Sequence, residues 1–335
     1  MKRSFATAFI LTLSVCMCAA QTSTPQPDSS INNLVHTLGY TAAEFGAIPQ
    51  FVKTGTGKKV LILIPGWGFD GSVFNDFVDA NKNNYTMYVV TIPGYGKTFA
   101  PPMPPAGTSY AELTWSKSFL SGLAKLIEKE KLHKPIIAGH FNQGSQLTLR
   151  FAIDHPNKIG GAIILGGPPK LVSVRNGVMR EFPLDSMKLL TDNFLAQKWF
   201  KPIKKSAFDA GNYLPEVYSL DSIKGKKLWE ESATVPLSVM IRYLCELWTM
   251  DLLLETEKIL CPVLVLRPTF TKPMLETPVN NYLQPQFIDL WDRARSKNSA
   301  IVVKDVAAAA TFVWKDNPSF VYKEIKNFMW QYPSE

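Results

Sequence analysis

Short, uninterrupted apolar runs recur along this chain, and helical patterns separate them. Such runs are typical of strands buried on both faces of a parallel sheet. The strand candidates are K-V-L-I-L-I-P (59–65), M-Y-V-V-T-I (87–92), residues 135–138, G-A-I-I-L (161–165), P-V-L-V-L (262–266) and residues 300–303. The helix candidates are residues 115–132, 144–154, 285–295 and 318–330, the last with Asn317 as N-cap. Strands and helices that take turns predict an α/β fold with a mostly parallel central sheet and helices on both faces.

One region breaks this alternation. Residues 168–258 contain no clear strand pattern but several helix-like ones, including residues 185–200 and 239–254. We interpret this region as a helical cap inserted at the rim of the sheet, where sheets of this kind bind ligands. The core is then formed by residues 46–167 and 259–335.

The N-terminal residues have the pattern of a targeting segment. Lys2 and Arg3 precede an apolar run at residues 5–15, and small residues end at Ala20. This pattern predicts a secretory signal peptide at residues 1–20, followed by a flexible leader at residues 21–45. The apolar run is too short for a stable membrane span, so we expect an exported, periplasmic or secreted protein with no integral membrane segment.

A lipoprotein anchored through Cys16 or Cys18 is the less favoured alternative, because Val15 and Met17 are not the small residues that such a site prefers. Removal of the signal peptide leaves Cys245 and Cys261. They could pair in an oxidising compartment, although two buried thiols are slightly favoured.

Charge and composition exclude several functions. The formal net charge is +8, but the basic residues are spread along the chain, as on an ordinary solvated surface. No phosphate-binding loop, zinc-ligand spacing or nucleic-acid motif is present. We therefore expect no nucleic-acid partner, no metal and no cofactor. Hydrophobic residues make up 46% of the chain, enough for a large packed core.

Four segments resemble the α/β-hydrolase superfamily in order and spacing, and the resemblance covers the chain from about residue 50 to residue 332. They are P-G-W-G (65–68), T-I-P-G-Y-G-K (91–97), A-G-H-F-N-Q-G-S-Q-L-T-L-R-F-A-I-D-H-P (138–156), and the pair C-P-V-L-V-L (261–266) and D-N-P-S-F-V (316–321). The resemblance implies an oxyanion loop at the first segment, a nucleophile elbow at the third, and a cap domain at the helical insertion.

The same resemblance implies a Ser-Asp-His triad, and this sequence departs from it at every position. Phe141 stands at the nucleophile position, and Gln143 replaces the second glycine of the elbow. Thr271 stands at the acid position, and the alternative acid site reads G-G-P-P-K (166–170), without a carboxylate. Thr311 stands at the histidine position.

The absence of a triad histidine does not depend on this mapping. The four histidines are His36, His133, His140 and His155, so none can come from the loop before the last helix. His140 is expected to be structural. Ser145 lies one helical turn beyond the elbow, which would carry its hydroxyl away from the reacting position.

Other features of the resemblance concern binding. The backbone N–H groups of Trp67 and Asn142 stand at the oxyanion-hole positions. The aromatic residues expected near the site are Trp67, Phe69, Phe141, Phe270 and Phe312. These rings either fill a former pocket or line a ligand pocket between core and cap.

Two functions follow from these observations. The first is an exported, non-catalytic protein that binds a small apolar or carbonyl-containing ligand, or a protein partner of unknown identity. The alternative is an active ester-type hydrolase that uses a non-standard site.

Overall fold

The computed structural model describes residues 43–175, 178–197, 215–232 and 235–332. The predicted signal peptide and nearly all of the predicted leader therefore lie outside the described residues. Within these ranges, no helix has both the length and the apolar character that crossing a membrane requires.

A seven-stranded sheet forms the centre of the fold, with strand order β1-β3-β2-β4-β5-β8-β9. Its strands are β1 (Phe51–Thr54), β2 (Lys59–Ile64), β3 (Tyr85–Val90), β4 (Ile136–His140), β5 (Gly161–Leu165), β8 (Val263–Pro268) and β9 (Ile301–Val306). β1 pairs antiparallel with β3, and the other neighbouring strands pair parallel. The predicted mostly parallel sheet is thus confirmed. β1 was not predicted, since an edge strand of four residues leaves too short a pattern.

Helices cover both faces of the sheet. They are α1 (Asn75–Asn81), α2 (Thr114–Lys129), α3 (Phe141–Asp154), α4 (Leu184–Leu190), α5 (Pro215–Tyr218), α6 (Ser222–Ser232), α7 (Leu237–Thr249), α8 (Lys272–Glu276), α9 (Leu290–Lys297), α10 (Val313–Asp316) and α11 (Pro318–Gln331). Asn317 caps α11 by accepting a hydrogen bond from the Phe320 N–H, as predicted.

The alternation of side chains along β2 explains the two hydrophobic cores. Ile62 and Ile64 pack into one core with α2, α3 and α9, whereas Leu61 and Leu63 pack into the other with α1 and α11. Successive side chains of a strand point to opposite faces, so a strand covered on both sides needs apolar residues at every position. This requirement accounts for the uninterrupted apolar runs in the sequence.

The insertion between β5 and β8 contains a hairpin as well as helices, so the expectation of no strand in residues 168–258 was wrong. The hairpin pairs β6 (Ser173–Arg175) with β7 (Val178–Arg180) in antiparallel register. Strands of three residues are too short to show periodicity. The dipeptide Asn176-Gly177 was the available sequence signal, because it is typical of two-residue hairpin turns.

The predicted cap helices occur with changed boundaries. α4 continues into a π-helical turn at Thr191–Leu195, and residues 198–200 of the prediction lie outside the described residues. α7 ends before Met250, whose extended backbone separates the helix from a short 3-10 turn at Leu252–Leu254. Cys245 on α7 and Cys261 before β8 are both buried thiols, as the favoured interpretation expected.

Candidate functional site

A sharp strand-to-helix turn joins β4 to α3. Phe141, the first residue of the helix, has a φ of 52°, in the left-handed region that a residue with a side chain adopts at a cost. Gly139 and Gly144 allow the turn to close. A Cβ on Gly139 would lie 2.0 Å from the Gly144 carbonyl oxygen, and one on Gly144 would lie 2.6 Å from the Ile64 carbonyl oxygen. The backbone of a nucleophile elbow is therefore present.

The side chain at this turn is a buried aromatic ring. Phe141 is only 6% exposed. Its ring centroid lies 5.8 Å from that of Tyr218 in an edge-to-face contact and 6.3 Å from that of Phe287, with which it is stacked. Phe270 in turn packs edge-to-face on Phe287 at 5.7 Å. A phenyl ring offers no lone pair for attack on a carbonyl, so the elbow presents a hydrophobic contact where the fold could present a nucleophile.

Gln143 occupies the space next to the elbow on the side of the 91–97 turn. The Tyr95 hydroxyl donates a hydrogen bond of 2.7 Å to Gln143 Oε1. Burial raises the pKa of Tyr95 far above its usual range, so this hydroxyl stays protonated and can donate. The elbow tolerates a side chain at position 143 because the close backbone approach falls on Gly144 instead.

His140 lies inside a box of aromatic rings. Its ring centroid is 4.1 Å from that of Phe312 and 4.8 Å from that of Trp314. Phe69 and Phe74 complete the box, each with its centroid 6.2 Å away. Neither ring nitrogen of His140 has a hydrogen-bond partner among the described residues.

Burial and the positive charge of Lys315 together hold the pKa of His140 well below 6.5, with burial as the larger cause. The imidazole is therefore neutral at physiological pH. Within the described part of the chain, no nucleophile and no carboxylate is hydrogen-bonded to either nitrogen, whereas a triad histidine requires both. The geometry agrees with a structural role for this residue.

Thr311 and Thr271 lie in loops that follow β9 and β8. Thr311 is fully buried, and both its hydroxyl and its N–H donate to the Val217 carbonyl oxygen, at 2.7 and 3.1 Å. Thr271 is half-buried and immediately precedes α8. The Phe270 N–H donates to the Ala309 carbonyl oxygen at 3.0 Å, which joins the two loops. Neither threonine can serve as the acid or the base of a triad.

The segment after β5 runs between Thr311 and Phe141. Gly166 lies against Thr311, and Gly167 lies against Phe141. A Cβ on Gly166 would lie 1.9 Å from the Thr311 carbonyl oxygen, and a Cβ on Gly167 would lie 2.2 Å from the Phe141 carbonyl oxygen. Ser145 is fully buried beside Gly167, and its hydroxyl donates only a long hydrogen bond of 3.4 Å, to the Gly139 carbonyl oxygen. Its hydroxyl therefore points back to β4 rather than out of the elbow.

The loop at residues 65–68 lies against the elbow. A Cβ on Gly66 would lie 2.7 Å from the Phe141 Cβ, so the loop that contains Trp67 is in direct contact with the first turn of α3, which contains Asn142. The Trp67 indole turns toward the cap and donates to the Met240 carbonyl oxygen at 2.9 Å. Of the five aromatic residues expected near the site, Phe69, Phe141, Phe270 and Phe312 are buried in one hydrophobic core, whereas Trp67 packs against the other.

Hydrogen bonds to several core elements hold helix α7 against the 65–68 loop and the 91–97 turn. Besides the Trp67 contact, the Tyr243 hydroxyl donates to the Pro93 carbonyl oxygen at 3.0 Å, and Gln146 Nε2 donates to the Met250 carbonyl oxygen at 3.1 Å. These contacts hold the cap helix to the 91–97 turn and to α3.

A buried carboxylate adds the strongest of these attachments. Glu246 of α7 accepts hydrogen bonds from the N–H groups of Trp115 and Ser116, at 2.9 and 2.8 Å, at the beginning of α2. Arg242, almost completely buried, pairs with the same carboxylate at 3.2 Å. A helix N-terminus carries unsatisfied N–H groups and a partial positive charge, so a carboxylate binds it well. The cap helix and the core are thus joined at a desolvated ionic contact.

Sequence reasoning missed two contributors to the filled site. Tyr218 comes from the cap, and Phe287 comes from the turn before α9. No local pattern marks these residues as neighbours of Phe141 or His140, because contacts between distant segments leave no trace in spacing.

No protein-family model matches the chain. Among curated sequences, it is 27% identical over 115 residues to a pimeloyl-[acyl-carrier protein] methyl ester esterase of Wigglesworthia glossinidia brevipalpis, covering 34% of this chain and 39% of the relative. It is 24% identical over 159 residues to a 2-hydroxy-6-oxononadienedioate/2-hydroxy-6-oxononatrienedioate hydrolase of Paraburkholderia phymatum, covering 42% and 51%. The chain thus spans between about two fifths and half of the length of these relatives.

Solved structures match over much more of the chain. A hydrolase from Oleispira antarctica, olei00960, superposes with a TM-score of 0.63 at 13% identity, covering 87% of this chain and 99% of its own. MenH from S. aureus superposes with a TM-score of 0.56 at 13% identity, covering 84% and 97%. Such likenesses show the fold, and they confirm the fold class that the sequence predicted.

Proposed function

We propose that this chain, which has the α/β-hydrolase fold, is a non-catalytic protein that acts by binding a ligand or a partner. The observation that carries the proposal is Phe141, a buried ring at the one position where this fold needs a nucleophile.

The other two triad positions support the same proposal. Thr311 stands at the expected histidine position, and both its hydroxyl and its N–H donate hydrogen bonds to the Val217 carbonyl oxygen. Thr271, at the expected acid position, has no carboxylate. Since no histidine follows His155 in the chain, no residue of the late loops could take over the base.

The packing around the elbow favours a filled former pocket over a ligand pocket lined by the predicted aromatic residues. Phe69 and Phe312 contact each other edge-to-face at 5.1 Å, and Tyr218 contacts both. A ligand placed among these rings would have to break contacts that already bury them. We therefore propose that binding takes place elsewhere on the cap or at the boundary of cap and core.

Labelling with an organophosphate tests the absence of an activated serine anywhere in the chain. Diethyl p-nitrophenyl phosphate phosphorylates such a serine and releases p-nitrophenolate. We expect the intact mass of the purified chain to stay unchanged. A variant that combines Phe141→Ser, Gln143→Gly, Thr271→Asp and Thr311→His serves as the positive control, because it restores the full triad at the mapped positions. Stoichiometric labelling of the unmodified chain, at Ser145 or any other serine, would contradict the proposal.

An ester hydrolase with a non-standard site is the second candidate, and the sequence likeness to two kinds of bacterial hydrolase favours it. In this case a carboxylate would have to activate a water molecule in place of the triad. Ester turnover above that of a heat-treated sample, abolished by substitution of one carboxylate, would support this candidate over the first.

Export is part of the proposal as well, and it rests on the pattern of residues 1–20. Mass spectrometry of the mature N-terminus in the native host tests it. A mature chain that begins at Gln21 is expected, and a lipid-modified Cys16 or Cys18 would show the lipoprotein alternative to be correct.

A further inference from the structure

A cleft with several charged residues lies between the beginning of the insertion and the end of α7. Lys170 and Val172 line it from the segment after β5, and Met250 and Asp251 line it from the segment after α7. Val172 and Met250 belong to the hydrophobic core that packs on α2 and α3, whereas Phe141 belongs to the core on the other face. The cleft is therefore separate from the elbow.

The lining of this cleft carries two basic and two acidic groups. Lys170 forms an ion pair of 2.7 Å with Asp251, and Glu181 forms an ion pair with Arg293 of α9. Arg180, which lines the cleft at the end of β7, takes part in neither pair. Each acidic group of the lining is thus paired with a cation, one of which, Arg293, lies outside the lining, so Arg180 is the lining charge that an anion can meet.

The ammonium group of Lys170 has more N–H donors than its ion pair with Asp251 uses. The Lys170 side chain is only 10% exposed although it carries an ammonium group. An ammonium has three N–H donors, and among the described residues Asp251 is the acceptor of one of them. The hydrogen bond from Arg293 lowers the pKa of Glu181, and the charge of Lys170 contributes in the same direction, which indicates that the field of Lys170 extends across the cleft.

The size of the cleft limits what it can hold. It encloses about 30 Å³, which is room for roughly two water molecules, at 10–15 Å³ for each. A carboxylate with two oxygens has a comparable extent, whereas a whole drug-sized ligand does not fit. The walls beside this space are apolar and are formed by Leu184, Met187 and Trp248.

We propose that this cleft binds the carboxylate of a small organic acid between Lys170 and Arg180, with the alkyl chain of the acid on Met187 and Trp248. The inference goes beyond the proposed function, and it stands whether or not the elbow is catalytic. A carboxylate accepts charge-assisted hydrogen bonds from both cations, and the alkyl chain gains from burial against the apolar wall. A phosphate would accept hydrogen bonds from the same two cations, but it has no alkyl chain to pack against the apolar wall.

Calorimetric titration of the full chain with acetate, butanoate, hexanoate, inorganic phosphate and butylamine tests the proposal. We expect saturable binding that strengthens from acetate to hexanoate, and none with butylamine. Phosphate binding as tight as that of hexanoate, binding of butylamine, or no saturable heat with hexanoate would overturn it.

Substitution of Arg180 distinguishes this cleft from other sites. Arg180→Gln removes an exposed cation that forms no ion pair within the described part of the chain, so we expect the variant to keep its fold and its hexanoate affinity to fall by about tenfold or more. Lys188→Gln is the matched control. It removes the same charge from neighbouring α4, where Lys188 lies outside the lining of the cleft and forms an ion pair with Asp185, and it should leave the affinity unchanged. Equal affinity in Arg180→Gln and the unmodified chain would overturn the proposal.

Discussion

The ring of His140 lies 4.1 Å from the ring of Phe312, centroid to centroid, and neither nitrogen of that imidazole has a hydrogen-bond partner among the described residues. A histidine in this setting behaves as one more flat ring of the hydrophobic core. It is held neutral by the same burial that keeps water from its nitrogens. The end of β4 therefore contributes to the packing of the hydrophobic core.

The first prediction concerns the pH dependence of folding. The pKa of His140 is lowered in the folded chain below the value of 6.5 that an exposed histidine has, so the unfolded chain binds this proton first as the pH falls. Stability is complete above pH 6.5 and is lost on acidification, with a slope that approaches about 1.4 kcal/mol per pH unit for one proton. His140→Leu should flatten the dependence of the unfolding free energy between pH 7 and about pH 5.

Urea unfolding at several pH values measures this slope. His133→Gln is the control, since His133 is exposed and its removal should leave the slope as it is. A slope that stays the same in His140→Leu would show that other groups, such as His155, govern the acid sensitivity.

The second prediction concerns the left-handed backbone of Phe141. Removal of the ring leaves a cavity that costs about 3–5 kcal/mol of unfolding free energy. At a φ of 52° alanine lowers the unfolding free energy by a further amount of about 1–2 kcal/mol, whereas glycine adopts this φ without that cost. Phe141→Gly should therefore be more stable than Phe141→Ala, the reverse of the usual order for a helical residue.

Thermal or urea unfolding of the two variants decides this order. The corresponding pair Thr148→Gly and Thr148→Ala, in the interior of α3, should show alanine as the more stable variant. Higher stability of Phe141→Ala would mean that the elbow is not strained.

The third prediction concerns the attachment of the cap. Glu246→Gln leaves the buried guanidinium of Arg242 without its counter-charge, so we expect a loss of about 3–5 kcal/mol in unfolding free energy. Glu230→Gln, in the exposed pair with Lys226 on α6, should change stability by no more than about 0.5 kcal/mol. Hydrogen exchange should show faster opening of α7 in Glu246→Gln. Unchanged stability would show that the cap does not depend on this contact.

The sequence predicted the sheet because burial on both faces imposes an unmistakable composition. The runs at β2, β3, β5 and β8 were recognised for that reason. The elements that escaped prediction, β1 and the β6–β7 hairpin, are short and lie at an edge of the sheet or in the insertion, where nothing requires a continuous apolar run.

The candidate site was predictable only in part. The position of Phe141 follows from motif order, and the missing late histidine follows from a count. The partners of Phe141 could not be inferred, because Tyr218 and Phe287 reach it from the cap and from a remote core segment. The pairing of Gln143 with Tyr95 likewise joins residues 48 positions apart. Residues that look independent in the sequence are therefore neighbours in the fold.

Ester turnover by the purified chain is the measurement that tests the central claim most directly. The substrates are p-nitrophenyl acetate, butanoate and octanoate, with the four-substitution variant at positions 141, 143, 271 and 311 beside the unmodified chain and a heat-treated sample of each. We predict that the unmodified chain hydrolyses none of these esters faster than its heat-treated sample, whereas the four-substitution variant does. Turnover by the unmodified chain that heat abolishes would contradict the account.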